Sequence, residues 1–254
     1  MKPLQLFQLP ALLLVLASPA LAHQATGANA GENETDAATP KNAALAPVKD
    51  IPGLPRVLLI GDSISIGYTL QVRELLEGKA NVHRTPFNCG PSHNGLIGTR
   101  GKWLGDGQWD VIHFNFGIWD AKIKPATGKV STSDKTYVKN LSIIADQLKK
   151  TGAILIFATT TPIPDTLLVA KEPGHPLPPD TRVFVDVAPR NQLATTALQS
   201  KGVLIDDLHA AIYPEREKHW RSGDLHFTRE GSTILAKAVA QSMEAALATR
   251  SVRH

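Results

Sequence analysis

Cysteine is almost missing from this sequence. Cys89 stands alone among 254 residues, so no internal disulfide can form and the fold must be held by its core. A lone thiol acts as a nucleophile only in an electropositive, partly exposed setting, and a structural role is expected for Cys89. Runs of basic residues are also absent: the net charge of +4 is spread along the chain, which argues against nucleic acid as a partner. No histidine pair shows metal-ligand spacing, and His93, His209 and His219 stand apart; no metal is expected. No glycine-rich loop matches a dinucleotide or phosphate-loop fingerprint, so no cofactor is expected either. Internal repeats are lacking.

What is present is an ordinary globular composition, 43% apolar and 20% charged, in a length that suits one substantial α/β domain. The N-terminus reads as a secretory leader over residues 1–22. Lys2 supplies the positive end, Leu4 to Leu16 the apolar stretch, and Ala20-Leu21-Ala22 the small-x-small cleavage pattern. The apolar stretch is short and interrupted by Pro10, so stable membrane insertion is not expected. The expected product is a secreted or periplasmic monomer cut after Ala22. Residues 23–53, rich in Ala, Asn, Thr, Gly and Pro, lack apolar periodicity and read as a disordered spacer. The folded domain is expected over 54–250.

Within it, short apolar runs alternate with helical patterns. Val57-Leu58-Leu59-Ile60 is a continuous apolar run that suits a strand buried on both faces. A helix follows, with Leu70, Val72, Leu75 and Leu76 expected inside and Gly78 at its end. A strand near Val82, another over Val111 to Phe116, one at Ile154 to Ala158 and one at Val203 to Ile205 complete the set. Tyr137, Leu141, Ile144 and Leu148 form a helical stripe. The last helix is expected from Arg229 to Ala248, with Thr228 as its N-cap and Glu230 in its first turn. This alternation predicts a parallel sheet with helices on both faces, whose reactive groups sit beyond the carboxyl ends of the strands.

Gly61-Asp62-Ser63 meets that demand: it follows the first buried strand and opens a helix. A serine there has backbone N–H groups around it that can receive a developing oxyanion, and Asp62 is expected to fix the turn. Asp224-Leu225-His226-Phe227-Thr228 stands just before the last helix, and a histidine is the usual base for a hydroxyl nucleophile. His113, alternating with apolar residues in its strand, reads as buried and hydrogen-bonded. The segment Thr161 to Asp186 carries six prolines and reads as a stiff loop walling the active edge.

These blocks, in this order, resemble the SGNH or GDSL-like hydrolases. The resemblance spans Pro55 to Leu247 and implies a flavodoxin-like three-layer α/β sandwich with a central five-stranded parallel sheet. It implies ester hydrolysis without a cofactor, with Ser63 as nucleophile and His226 as base. Asn88-Cys89-Gly90-Pro91-Ser92 is similar to the second block, whose glycine N–H joins Ser63 in the oxyanion hole; Gly90 fits, and Gly95 fits in another register. Gly117-Ile118-Trp119-Asp120 stands where the family has Gly-x-Asn-Asp, so Trp119 replaces the asparagine donor. Its indole N–H can donate, whereas Asn115, within the strand, is not expected to take over. The family's acid lies three residues before the histidine, where this chain has Gly223. Asp224 is the implied third member, a backbone carbonyl or a distant acid being the alternatives. The resemblance further implies a small-molecule or glycan ester as substrate, O-acetyl esters of carbohydrate first. A lysophospholipase or thioesterase is the alternative, as are an O-acetyltransferase and a non-catalytic glycan-binding relative.

Overall fold

The computed structural model describes residues 43–251, with side chains described to residue 249. Strand β1 (Arg56–Ile60) leads into α1 (Ser63–Leu75) and β2 (Asn81–Arg84). After α2 (Ser92–Gly98) come β3 (Val111–Phe114) and the short α3 (Ile118–Ala121). A two-stranded ribbon, β4 (Ile123–Lys124) and β5 (Lys129–Val130), precedes α4 (Asp134–Lys149) and β6 (Ile154–Ala158). Then α5 (Ala188–Gln199), β7 (Leu204–Asp206), α6 (Leu208–Ile212), α7 (Arg216–His219) and α8 (Arg229–Ser251) close the domain.

The main sheet has five parallel strands in the order β2-β1-β3-β6-β7. The expected flavodoxin-like sandwich is therefore present. Alternation along each strand divides the core. Val57 and Leu59 of β1 pack with Val72, Leu235, Val239 and Met243 under α1 and α8. Leu58 and Ile60 pack on the other side with Leu141, Ile144, Leu148 and Leu198 under α4 and α5. Each such side chain contributes roughly 1.5–3 kcal/mol relative to exposure, which is how a domain without disulfides is held. No described helix is long and apolar enough to cross a membrane.

Three sequence expectations change. On α1 the inner face is Ile64, Tyr68, Val72 and Leu76, while Leu70 and Leu75 are exposed. The apolar residues at 70 and 75 lie off the stripe that the 3.6-residue period carries through 64, 68 and 72. The strand expected over Val111 to Phe116 ends at Phe114. The expected spacer over 23–53 is too long: residues 43–53 lie against the domain. Arg73 donates to the carbonyls of Ala43 and Ala46, Ala44 is buried, and the Ile51 N–H donates to Asn81 Oδ1 at 2.8 Å. These are backbone attachments, invisible to composition. The expected leader and residues 23–42 lie outside the described residues.

Candidate active site

At the end of β1 the chain must turn into α1 within two residues. Asp62 makes this possible by capping the helix, its Oδ1 accepting the Ile64 N–H at 3.0 Å. Gly61 is required, since a Cβ there would stand 2.7 Å from Ser65 Oγ. Ser63 becomes the first residue of α1, half-buried, with its N–H among the unpaired donors of the helix end. Asp62 itself is buried; burial pushes its carboxyl up from the ordinary range, against the pull of the Ile64 N–H, His226 and Arg84.

The other half of the site is the turn before α8. Arg221 N–H donates to the His226 carbonyl at 2.8 Å and Asp224 N–H to the Arg221 carbonyl at 3.0 Å. Leu225 and Phe227 are buried on either side of His226, which anchors the loop and leaves the imidazole facing Ser63. His226 Nε2 lies 2.7 Å from Ser63 Oγ, and Nδ1–H donates to Asp224 Oδ2 at 2.7 Å. The spacing of the acid is accounted for by Gly223, whose φ of +66° makes a turn that swings Asp224 into the place beside Nδ1. Asp224 Oδ1 accepts the Leu225 N–H at 2.8 Å and pairs with Arg182 Nη1 at 2.9 Å. Partial burial would raise the Asp224 carboxyl, but the bond to His226, its charge, the Leu225 N–H and Arg182 together hold it below the usual range.

The oxyanion side is less complete. Gly90, buried with φ +63°, donates its N–H to Asn88 Oδ1 at 2.9 Å, so an oxyanion reaching that N–H must displace the Asn88 oxygen. Gly95 lies inside α2, where a Cβ would strike Ile144 and Phe116; it serves close helix packing. Asn115 donates to the Ala158 carbonyl at 2.8 Å and is buried, committed to the sheet. Trp119 is 40% exposed and lines a recess together with Ser63 and His226. Its indole makes no hydrogen bond among the described residues. Gly117 lets this turn form: a Cβ there would lie 1.8 Å from Thr160 Oγ1.

Several further residues position the site through contacts that the sequence does not show. Asp120, fully buried, accepts the Ser92 N–H at 2.9 Å and the Ser92 hydroxyl at 2.6 Å, tying the 117–120 turn to the start of α2. Arg84, also buried, reaches the Gly61 carbonyl at 3.2 Å, Ser65 Oγ at 3.1 Å and the Thr85 carbonyl at 2.9 Å. It joins the Ser63 turn to the loop carrying Gly90. Cys89 is buried beside Thr85, and burial pushes its thiol up, which suits a structural cysteine. His113 Nε2 lies 2.9 Å from Asp206 Oδ2, both buried, so the expected buried, hydrogen-bonded histidine is found.

Two recesses meet at Ser63 and His226. The smaller, about 80 Å³, is walled by Ile118, Trp119, Phe184 and Leu225, with Lys122 and Arg182. The larger, about 560 Å³, runs past Ala44, Ile64, Ile66, Leu70 and Phe227. Arg182 and Phe184 come from the proline-rich loop. That loop is pinned where Ile123 N–H donates to the Val183 carbonyl at 2.9 Å and Val185 N–H to the Ala121 carbonyl at 3.0 Å.

The doubly wound parallel sheet with helices on both sides makes an α/β three-layer sandwich, the fold also of a putative SGNH hydrolase from Slackia heliotrinireducens. No protein family's sequence profile matches the chain, and no curated protein matches it. Solved structures do resemble it. A GDSL-like lipase from Bacteroides thetaiotaomicron is 16% identical, covering 81% of this chain and 94% of its own, with a TM-score of 0.54. A catalytic mutant of an acetylxylan esterase from Geobacillus stearothermophilus is 16% identical, covering 74% and 93%, with a TM-score of 0.55. A carbohydrate esterase family 3 protein from Talaromyces cellulolyticus is 11% identical, covering 77% and 99%, at 0.55. At these identities the likeness is one of fold.

Proposed function

We propose that this protein is an exported serine esterase that hydrolyses short-chain acyl esters, O-acetyl groups of carbohydrate foremost. The observation that carries the reading is the unbroken line from Ser63 Oγ through His226 to Asp224, each step 2.7 Å, at a helix N-terminus. In this mechanism His226 Nε2 takes the hydroxyl proton as Ser63 Oγ attacks the ester carbonyl. Asp224 keeps Nδ1 protonated and stabilises the imidazolium. The Ser63 N–H receives the oxyanion, with the Trp119 indole N–H and, once freed from Asn88, the Gly90 N–H. His226 then gives its proton to the departing alcohol. It next activates the water that cleaves the acyl-enzyme, restoring Ser63. The aromatic walls of the smaller recess suit a short acyl group, and the structural likeness to an acetylxylan esterase and a family 3 carbohydrate esterase points to sugar esters.

The larger recess favours a second reading. Its apolar residues Ala44, Ile64, Ile66, Leu70 and Phe227 would accept a fatty chain, as a lysophospholipase or thioesterase requires. Hydrolysis of p-nitrophenyl esters from C2 to C12, beside Ser63→Ala, separates the two. Highest kcat/KM at C2 to C4, lost in Ser63→Ala, supports the short-chain esterase. A steep rise toward C12 supports the lipid reading, and no Ser63-dependent hydrolysis at any length refutes both.

A further inference from the structure

The walls of the smaller recess carry charge of one sign. Lys122 caps the end of α3 and bridges to Phe184 through the backbone; it lines the recess and makes no ion pair among the described residues. Arg182 lines the same recess, 43% exposed, with Nη1 on Asp224 and its remaining donors uncommitted among the described residues. Arg221, at the edge of the larger recess, gives its Nε–H to the Phe227 carbonyl and pairs with no carboxylate there. Among the described residues Asp224 is the sole carboxylate lining either recess, and its charge is already shared between His226 and Arg182. The reacting serine therefore sits near Lys122 and Arg221, which pair with no carboxylate among the described residues, and near Arg182, which shares Asp224 with His226, beside the partly exposed Trp119. A neutral ester leaves that field unanswered, whereas an anion within the cleft completes it.

We propose that the ester cleaved here carries a carboxylate, bound by Lys122 and Arg182 next to Ser63; this rests on the esterase reading above. The carboxylate can belong to the sugar, as in an O-acetylated uronate whose ring lies on Trp119. It can also belong to the acyl group, as in a succinyl half-ester. Lys122 is the residue to test, because Arg182 also braces Asp224.

Two matched pairs distinguish the sources: the O-acetyl esters of methyl glucuronoside and methyl glucoside, and the succinyl and butanoyl esters of methyl glucoside. In at least one pair the anionic ester is expected to have a kcat/KM about tenfold or more above its neutral partner at low salt. That advantage is expected to shrink to roughly threefold or less in Lys122→Gln and in about 0.5 M salt, to return in Lys122→Arg, and to invert in Lys122→Glu. The pair that responds names the half of the substrate that bears the charge. Equal or faster cleavage of the neutral member in both pairs overturns the proposal while leaving the esterase reading intact. So does an anionic preference that survives in Lys122→Gln and at high salt. Absence of Ser63-dependent cleavage of every ester, neutral ones included, overturns both.

Discussion

Replacing Arg84 by methionine tests how the site is held. The guanidinium is buried and makes no bond to a carboxylate. It donates to the carbonyls of Gly61, Thr85 and Phe87 and to the hydroxyls of Ser65 and Thr69. Methionine keeps the length and removes every donor. The Gly61 carbonyl retains the Cys89 N–H at 3.1 Å, and the hydroxyls retain their own acceptors, Asp62 O and Ser65 O. The Thr85 carbonyl loses its side-chain donor, a cost of about 1–3 kcal/mol for a buried acceptor, and the weakened neighbours add about 1 kcal/mol. Removing a buried cation, whose pKa burial lowers, recovers part of this. The net expectation is a loss of about 2–3 kcal/mol, or roughly 4–12 °C in Tm at about 2–4 °C per kcal/mol. Because Arg84 links the Ser63 turn to the loop of Gly90, kcat on p-nitrophenyl acetate should also fall about tenfold or more at a temperature where the variant is fully folded. Urea unfolding gives the stability and steady-state rates give the second effect. An unchanged urea midpoint together with unchanged kcat would refute the reasoning.

Other outcomes follow from the same geometry. Asp224→Asn should lower kcat on short esters by about 10³–10⁴, since the amide no longer fixes the imidazole tautomer; a loss below tenfold contradicts the role. Because Asp224 is held below the ordinary carboxylate range, the stability it adds is fully present above the unfolded-state pKa of about 4 and is lost as pH falls through its lower native value. The difference in unfolding midpoint between wild type and Asp224→Asn should therefore be constant above about pH 5 and narrow below about pH 4; narrowing already between pH 5 and 7 would contradict it. Trp119→Phe keeps the ring and removes the indole N–H, and should lower kcat about tenfold or more with KM little changed; an unchanged kcat removes Trp119 from the oxyanion hole. Gly117→Ala places a methyl 1.8 Å from Thr160 Oγ1 and should cost about 2–4 kcal/mol by urea unfolding, a near-neutral result showing that the turn can relax.

The parallel sheet could be read from local patterns, whereas Ser63 and His226 were singled out by the resemblance of their blocks to one family, which also implied Asp224 one position away from the family's acid. Val57 to Ile60 is apolar without a break, Gly-Asp-Ser opens a helix, and a histidine lies two residues beyond an acid before the last apolar stripe. The contacts of Arg84, Asp120 and Arg182 could not be read, since their partners lie elsewhere in the chain. Asp120 meets Ser92, 28 positions away, and Arg182 meets Asp224 through a loop with no periodic pattern. The Gly90 N–H, an oxyanion donor by the resemblance, is engaged in an Asx turn with Asn88, which no local pattern shows. Leu70 and Leu75 are exposed, contrary to expectation, because apolar character alone does not set the phase of a helix.

The central claim, that His226 activates Ser63 as the nucleophile, is tested most directly by covalent labelling with a p-nitrophenyl phosphonate ester, read by intact mass and peptide mapping. The account predicts one adduct per chain, mapped to Ser63, absent in Ser63→Ala and slowed by about 10² or more in His226→Ala. Labelling at another residue, or an unchanged rate in His226→Ala, would contradict it.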